Sequence, residues 1–296
     1  LASSAASDVY KRQHRGLMKY FYVISNLSKD YVLDVQDEVQ SCLEKRGAVC
    51  RYMTDYERMK NGRHTPGEYV PEDTQCIITI GGDGTLIQAA RDLAGRNIPM
   101  LGINRGHLGF LNQVDRTEDI DAAMDALVNE RFRLEHRMML RGTVFHEGKP
   151  VFQDIALNEI IATSAEHLRV LRYDLAVNDE YLNEYAADGV MVATPTGSTA
   201  YNLSAGGPVM APAGRMMAVT PVCSHTLNAR SIVISEEDRV KIGLLGKGLV
   251  TFDGDTSQKT GPGDYLIVER SHMETVMVKL KQISFMQNLS NYLGNV

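Results

Sequence analysis

Ile77-Ile78-Thr79-Ile80-Gly81-Gly82-Asp83-Gly84-Thr85-Leu86 is an apolar run that stops at three glycines and one carboxylate. It reads as a buried strand emptying into a phosphate-binding turn. Glycines lack the Cβ atoms that keep a backbone away from a polyphosphate, and they allow the positive φ values such turns use. Residues 86–94 have helical composition, so the turn would also open a helix whose N-terminal dipole favours negative charge. Asp83 runs against this. A carboxylate among phosphate donors repels the ligand unless it holds a metal ion or takes a proton from a hydroxyl. The alternative is an ordinary Gly-Asp-Gly turn between strand and helix, and the motif alone does not choose between them.

The pattern on either side is alternating strand and helix. Residues 20–24 are β-rich; Val32, Val35, Val39 and Leu43 make one face of a helix ending at Gly47; residues 48–52 form a second short strand. Residues 54–72 are polar and contain Asn61-Gly62 and Pro66-Gly67, which predicts a mobile loop near the ligand. Beyond the opening stretch, residues 99–103 supply another strand. Asn104-Arg105-Gly106-His107-Leu108-Gly109-Phe110-Leu111 then supplies a second glycine-rich turn. Short links of this kind imply a parallel sheet, with ligands at the carboxyl ends of its strands, where both glycine turns fall. Ile120, Met124, Leu127, Val128 and Phe132 predict an amphipathic helix that closes this α/β domain, residues 18–132.

From residue 133 to 268 the chain changes to short strands: 140–145, 152–163, 170–177, 190–194, 231–234, 240–244, 249–252 and 265–269. Glu147-Gly148-Lys149, Asn178-Asp179-Glu180 and Gly261-Pro262-Gly263-Asp264 suit the turns between them. Residues 269–296 carry a strand at 277–280 and a short helix through Phe285, Leu289, Tyr292 and Leu293, a segment expected to return to the first domain. Residues 1–17 are small and basic without periodicity. They resemble translated adapter sequence, and a disordered, non-native tail is expected there.

Three clusters in the β-rich part could carry chemistry. Asn158-Glu159 interrupts an apolar strand, and burying either without a partner costs about 2 kcal/mol or more per group. Such a pair needs a ligand or a protein network; at a strand bend it is often structural. Asp188-Gly189 precedes the dense loop Thr194-Pro195-Thr196-Gly197-Ser198-Thr199-Ala200-Tyr201-Asn202-Leu203-Ser204-Ala205-Gly206-Gly207-Pro208. Its hydroxyls and one aromatic can donate to and stack on a nucleotide, and a plain surface loop is the alternative. Phe252-Asp253-Gly254-Asp255 reads as a turn.

At 296 residues and 44% hydrophobic, the chain can bury two ordinary cores. A net charge of −6 argues against a nucleic-acid partner. No apolar run approaches the length of a membrane span, and no signal-peptide pattern opens the chain, so a soluble, cytoplasmic protein is expected. Cys42, Cys50, Cys76 and Cys223 form no Cys-x-x-Cys pair and are expected to be buried thiols in a reducing compartment.

Taken together and in this order, Gly81-Gly82-Asp83-Gly84-Thr85, residues 104–111, Asn158-Glu159, Asp188-Gly189 with residues 194–208, and Asp253-Gly254 resemble the NAD kinases. The likeness covers nearly all of the chain from Met18. The glycine-Asp motif is shared with diacylglycerol kinases and phosphofructokinases; the Pro-Thr-Gly-Ser-Thr-Ala-Tyr stretch beside Asn-Glu is the specific part. The resemblance implies a Rossmann-like α/β N-terminal domain and a β-rich C-terminal domain that binds NAD. The implied activity is transfer of the γ-phosphoryl group of ATP, with a divalent metal such as magnesium, to the adenosine ribose 2′-hydroxyl of NAD. It makes Asp83 the proton acceptor, with Gly82 and Gly84 at the phosphates and no dedicated metal ligand among the side chains. Asn158 and Glu159 would hold the adenine and ribose. Thr199, Ala200 and Tyr201 would surround the adenine, with Thr196, Asn202 and Ser204 close by, Asp188 on the nicotinamide side, Phe110 packed near the base and Arg169 toward phosphate. A homodimer or homotetramer is the implied assembly.

Three positions depart from the pattern: Tyr185-Ala186-Ala187 stand where many relatives carry an arginine before Asp188, Ser224 stands where proline is usual, and Asp255 replaces a frequent glutamine. Two other readings share parts of this pattern, a lipid kinase sharing the glycine turn and a catalytically silent NAD(P)-binding regulator. The first has no use for the Pro-Thr-Gly-Ser-Thr-Ala-Tyr loop, and the second has no reason to keep Asp83.

Overall fold

A computed structural model describes residues 17–105, 109–166, 169–225, 228–280 and 284–294. The tail expected at 1–17 lies outside them except for Leu17, as do residues 106–108 of the second glycine turn. The chain divides into two compact units, Leu1–His136 with Thr275–Val296, and Arg137–Glu274.

In the first unit the strands are β1 (Tyr20–Ser25), β2 (Val49–Tyr52), β3 (Cys76–Ile80) and β4 (Met100–Ile103). They pair in parallel in the order β2-β1-β3-β4. Every residue of β3 is buried, which explains its unbroken apolar run: a parallel strand covered on both faces has no polar side. Helices α1 (Val32–Glu44), α2 (Asp55–Asn61), α3 (Asp83–Asp92) and α4 (Ile120–Val128) connect and cover these strands. Val35, Val39 and Leu43 of α1 and Met124 and Leu127 of α4 share one core with Phe21, Ile78 and Leu101. Arg46, in the turn after α1, pairs with Asp121 and Asp125 of α4. Val276 and Val278 of the returning chain join the same core, and Met277 pairs in parallel with Met100.

The second unit is built of strands. These are β5 (Arg133–His146), which begins in the first unit, β6 (Lys149–Ala156), β7 (Glu159–Ser164), β8 (Leu171–Val177), β9 (Glu180–Ala187) and β10 (Gly189–Ala193). After the single-turn helix α5 (Tyr201–Ser204) come β11 (Met216–Val222), β12 (Ile232–Ser235), β13 (Val240–Leu244), β14 (Gly248–Phe252), β15 (Thr256–Thr260) and β16 (Tyr265–Lys279). One antiparallel sheet runs β12-β11-β10-β7-β14-β15. The other antiparallel pairings join β16, β13, β8 and β9, and β5 with β6. Leu140, Tyr173, Ile242 and Leu266 from these pairings share one core with Ile160, Val192, Val219 and Phe252 of the six-stranded sheet. Helix α6 (Phe285–Gly294) closes the chain in the first unit.

Several elements differ from expectation for identifiable reasons. Residues 54–72 are not all loop: α2 starts on a capping box, in which Thr54 Oγ1 accepts from Glu57 N at 3.3 Å and the Glu57 carboxylate accepts from Thr54 N at 2.7 Å. Thr54→Ala should lower stability by about 1 kcal/mol, measurable by urea denaturation. Helix α3 begins at Asp83, three residues before Leu86, so the motif itself forms its first turn. Helix α4 ends at Val128 and leaves Phe132 beyond it, because Glu130 turns to φ 51° and Arg131 N bonds back to Ala126 O at 2.8 Å. The strand expected at 152–163 is two strands in different sheets. Cys42 and Cys76 are buried, but Cys50 is half-buried on edge strand β2 and Cys223 is exposed at φ 46° just past β11.

Candidate active site

The carboxyl ends of β1, β3 and β4 lead into Asn26, Gly81 and Asn104, and backbone bonds tie these exits together: Asn26 N to Ile80 O and Gly81 N to Ile103 O, both 2.9 Å. Gly81 has φ 153°, and a Cβ there would overlap Thr85 Oγ1. Glycine at 81 therefore leaves room for the Thr85 side chain, while Thr85 N donates to Gly82 O at 3.0 Å.

Asp83, first in α3, turns its carboxylate toward the second glycine turn. Backbone N–H groups of Phe110, Leu111 and Asn112 point to it, and the Asn112 side-chain amide donates to Oδ1 at 2.5 Å. Gly109 makes the approach possible, since a Cβ there would overlap both carboxylate oxygens. Burial pushes the Asp83 carboxyl above the usual carboxylate range, and these donors partly offset it. The result is a held carboxylate with raised proton affinity. Phe110 packs its ring 5.2 Å from Tyr292 and 6.4 Å from Phe285, centroid to centroid, so its apolar face lies against α6.

In the second unit Asn158 and Glu159 sit where the chain leaves one sheet for the other. Asp253, at φ 49° after β14, collects the N–H groups of Leu157, Asn158 and Glu159 at 2.6, 2.8 and 3.0 Å. The bend is thereby pinned by one carboxylate. Thr194 braces it from the other side, donating Oγ1 to Leu157 O at 2.6 Å and N–H to Asn158 O at 2.8 Å. Gly197 lies so close that a Cβ would run into the Asn158 carbonyl. Gly197→Ala should cost about 1–3 kcal/mol, read as a lowered melting temperature, because the atoms it would meet are all Asn158 backbone and cannot rotate away.

Glu159 Oε2 is buried without a hydrogen-bond partner among the described residues. Burial, with Asp253 adding repulsion, pushes its carboxyl up to about 8. The following loop supplies Thr196, whose hydroxyl accepts from buried Arg137 at 3.2 Å, and Thr199, Ala200 and exposed Tyr201. Asn202 is fully buried and its amide serves the loop: Nδ2 donates to Pro208 O at 3.0 Å, and Oδ1 accepts from Thr220 at 2.7 Å.

The ATP-NAD kinase N-terminal domain family matches residues 20–132, and the ATP-NAD kinase C-terminal domain family matches residues 157–280. The chain belongs to the ATP-NAD kinase family. Among its relatives, the NAD kinase of Lachnospira eligens is 36% identical over 292 residues, covering 93% of this chain and 99% of that protein. The NAD kinase of Agathobacter rectalis is 37% identical over 285 residues, covering 94% and 99%. In fold the chain is similar to yeast NADH kinase complexed with NADH, with a TM-score of 0.83 at 21% identity over 95% of this chain and 88% of that one. It is also similar to an NAD kinase from Archaeoglobus fulgidus in complex with ATP, with a TM-score of 0.76 at 22% identity over 93% and 99%. The resemblance drawn from the motifs and the fold class it implied, α/β followed by β-rich, are both borne out.

The remaining residues that ATP-NAD kinase membership brings into question are placed as follows. Ser204 is exposed at the end of α5. Arg169 is exposed and lies 3.8 Å from the Glu166 carboxylate. Asp188 is exposed, with His225 Nε2 3.9 Å from its Oδ1. Asn112, Thr194 and Asp253 hold the candidate groups in place, and the sequence reading gave none of them that task. For Asn112 the signal was an Asn-Gln pair set between Leu111 and Val114; for Asp253 it was an Asp-Gly directly after an apolar strand.

Proposed function

We propose that this chain is an NAD kinase, transferring the γ-phosphoryl group of ATP to the 2′-hydroxyl of the adenosine ribose of NAD. What carries the reading is Asp83: a carboxylate in a glycine turn, gripped by amide donors and raised in proton affinity, in a member of the ATP-NAD kinase family. As the 2′-oxygen bonds to the γ-phosphorus, the bond to the β,γ-bridging oxygen breaks and ADP leaves with that electron pair. The hydroxyl proton passes to an Asp83 oxygen. Phosphoryl transfer of this kind is mostly positioning and charge neutralisation, with the base adding about 10²–10⁴-fold.

Asn158 and Glu159 hold the adenine and ribose and so select the hydroxyl that reacts. Thr199, Ala200 and Tyr201 flank the base, Asp188 serves the nicotinamide end, and Arg169 meets phosphate. Thr196 and Asn202 act from beneath, through the loop they brace, and Ser204 and Phe110 complete the surroundings of the nucleoside.

A divalent cation, magnesium, enters with ATP. Among the described residues no group of three or more His, Cys, Asp or Glu side chains could hold an ion, and the single carboxylate of the glycine turn already accepts amide hydrogens. This donor set fits a cation carried by phosphate oxygens and water rather than one held in a protein cage. Bound there, it would neutralise charge on the transferring group. The enzyme is proposed to be a homodimer or homotetramer of the cytoplasm. Among the described residues no helix is long and apolar enough to cross a membrane.

The deciding experiment is coupled detection of NADP formed from NAD, ATP and magnesium. Folded protein that forms none under those conditions sinks the reading.

A further inference from the structure

Helix α6 rests on the turn that grips Asp83. It opens on a capping box: Ser284 Oγ accepts from Gln287 N at 3.2 Å, and Gln287 Oε1 accepts from Ser284 N at 2.9 Å. The cap makes Phe285 the first helical residue, and Tyr292, two turns further on, shares its face. Both rings reach Phe110, at centroid distances of 6.4 and 5.2 Å and with their planes inclined at 47° and 54°. All three residues belong to the first unit. We propose that α6 is a positioning element for the proton acceptor: Phe285 and Tyr292 hold the Phe110 ring, and through it the Phe110 N–H, against the Asp83 carboxylate. The assignment rests on the NAD kinase reading and adds to it two residues that act on Asp83 through a third.

The three backbone donors at Asp83 are not anchored alike. Leu111 and Asn112 have buried side chains, and the chain just beyond them is tied to β4 and its exit, with Gln113 N donating to Gly102 O and Asn104 N to Val114 O, both at 2.9 Å. Phe110 is only half-buried and follows Gly109, which has no side chain to fix it. Among the described residues both aromatic partners of its ring are on α6. Tilted aromatic pairs at these separations attract beyond the area they bury. The Phe110 amide is therefore the donor of the three whose place depends on a distant element.

The turn cannot be stiffened from within. A Cβ at Gly109 would overlap both Asp83 carboxylate oxygens, so the residue that gives the backbone most freedom is the one the close approach requires. A buttress outside the turn resolves this, and α6 supplies it. The demand on it is high, because misplacing a reacting group by about 1 Å can cost about 10²-fold in rate.

Phe285→Ala and Tyr292→Ala each remove one ring from the full-length protein, and Tyr292→Phe keeps it. Amide hydrogen exchange read by mass spectrometry should be faster at residues 110–112 in both alanine variants, while the amides of β3 keep their wild-type protection and so report an intact core. Turnover should fall about 10- to 100-fold in kcat with the KM for ATP unchanged. Tyr292→Phe, and Met286→Ala at an exposed position of the same helix, should match wild type in exchange and in kcat. Wild-type exchange at residues 110–112 in both alanine variants overturns the proposal. So does a wild-type kcat, or a loss of protection spread equally over β3, which would make α6 a general stabiliser. If exchange at residues 110–112 rises as expected but wild type makes no NADP, the hold of α6 on the turn stands and the NAD kinase reading fails.

Discussion

Asp83→Asn should lower turnover of NAD by about 10²–10⁴-fold while leaving NAD binding within a few-fold of wild type. Asparagine has the shape of aspartate, so it fits the room left by Gly109, and its amide oxygen can still accept from the N–H groups of residues 110–112. It cannot take a proton. Because burial disfavours the charged carboxylate, the neutral amide should be tolerated at neutral pH, and the melting temperature should not fall. The Asp83 carboxylate is turned to the amides of residues 110–112 and is not among the groups proposed to meet phosphate, so the KM for ATP should also hold. The measurements are steady-state kcat and both KM values, calorimetry with NAD, and thermal melting. Turnover at the wild-type rate removes Asp83 from proton transfer; loss of NAD affinity in proportion to rate makes it a binding group instead.

That Asp83 had a use was legible in the residues, because a carboxylate among glycines at a strand exit is costly without one. Its direction was not, since it depends on Gly109 and Asn112, 26 and 29 positions away, which pairing of β3 with β4 brings alongside. The parallel half of the fold was legible for a similar reason: strands covered on both faces are uninterrupted apolar runs, and β3 and β4 read as such. Strands β9 and β15 escaped because Glu-Tyr-Leu-Asn-Glu and Thr-Ser-Gln-Lys-Thr lack an apolar face; both strands lie at the ends of their pairings. Strand β11 was hidden by Pro221, a residue that normally argues against an inner strand. It is tolerated because β12 pairs only with residues 216–219, so at Pro221 that side has no ladder to break. The break after Ala156 was invisible because its cause is Asp253, about a hundred residues on, which takes the three N–H groups a continuous strand would have used.

The same Asp253 sharpens the second large effect, the dependence of stability on pH through Glu159. The native carboxyl is pushed up from 4.5 to about 8 by burial and by the Asp253 charge. Below pH 4.5 Glu159 is protonated in both folded and unfolded chains and has no effect. As pH rises from there the unfolded chain gives up its proton while the folded chain keeps it, so stability falls, and the fall levels off only above about 8. At pH 7 the penalty is on the order of 3 kcal/mol. Glu159→Gln should therefore melt like wild type near pH 4.5 and progressively higher than wild type up to pH 8, in the absence of ligand. NAD binding adds the functional sign. Ribose hydroxyls donate to an ionised carboxylate, so binding expels the proton, and wild-type affinity for NAD should rise between pH 6 and 8 while the variant's stays flat. Parallel melting and calorimetry across that range test both halves. Identical pH slopes for wild type and Glu159→Gln would mean that Glu159 is already ionised in the folded protein, and that the Asp253 bend leaves it open to water.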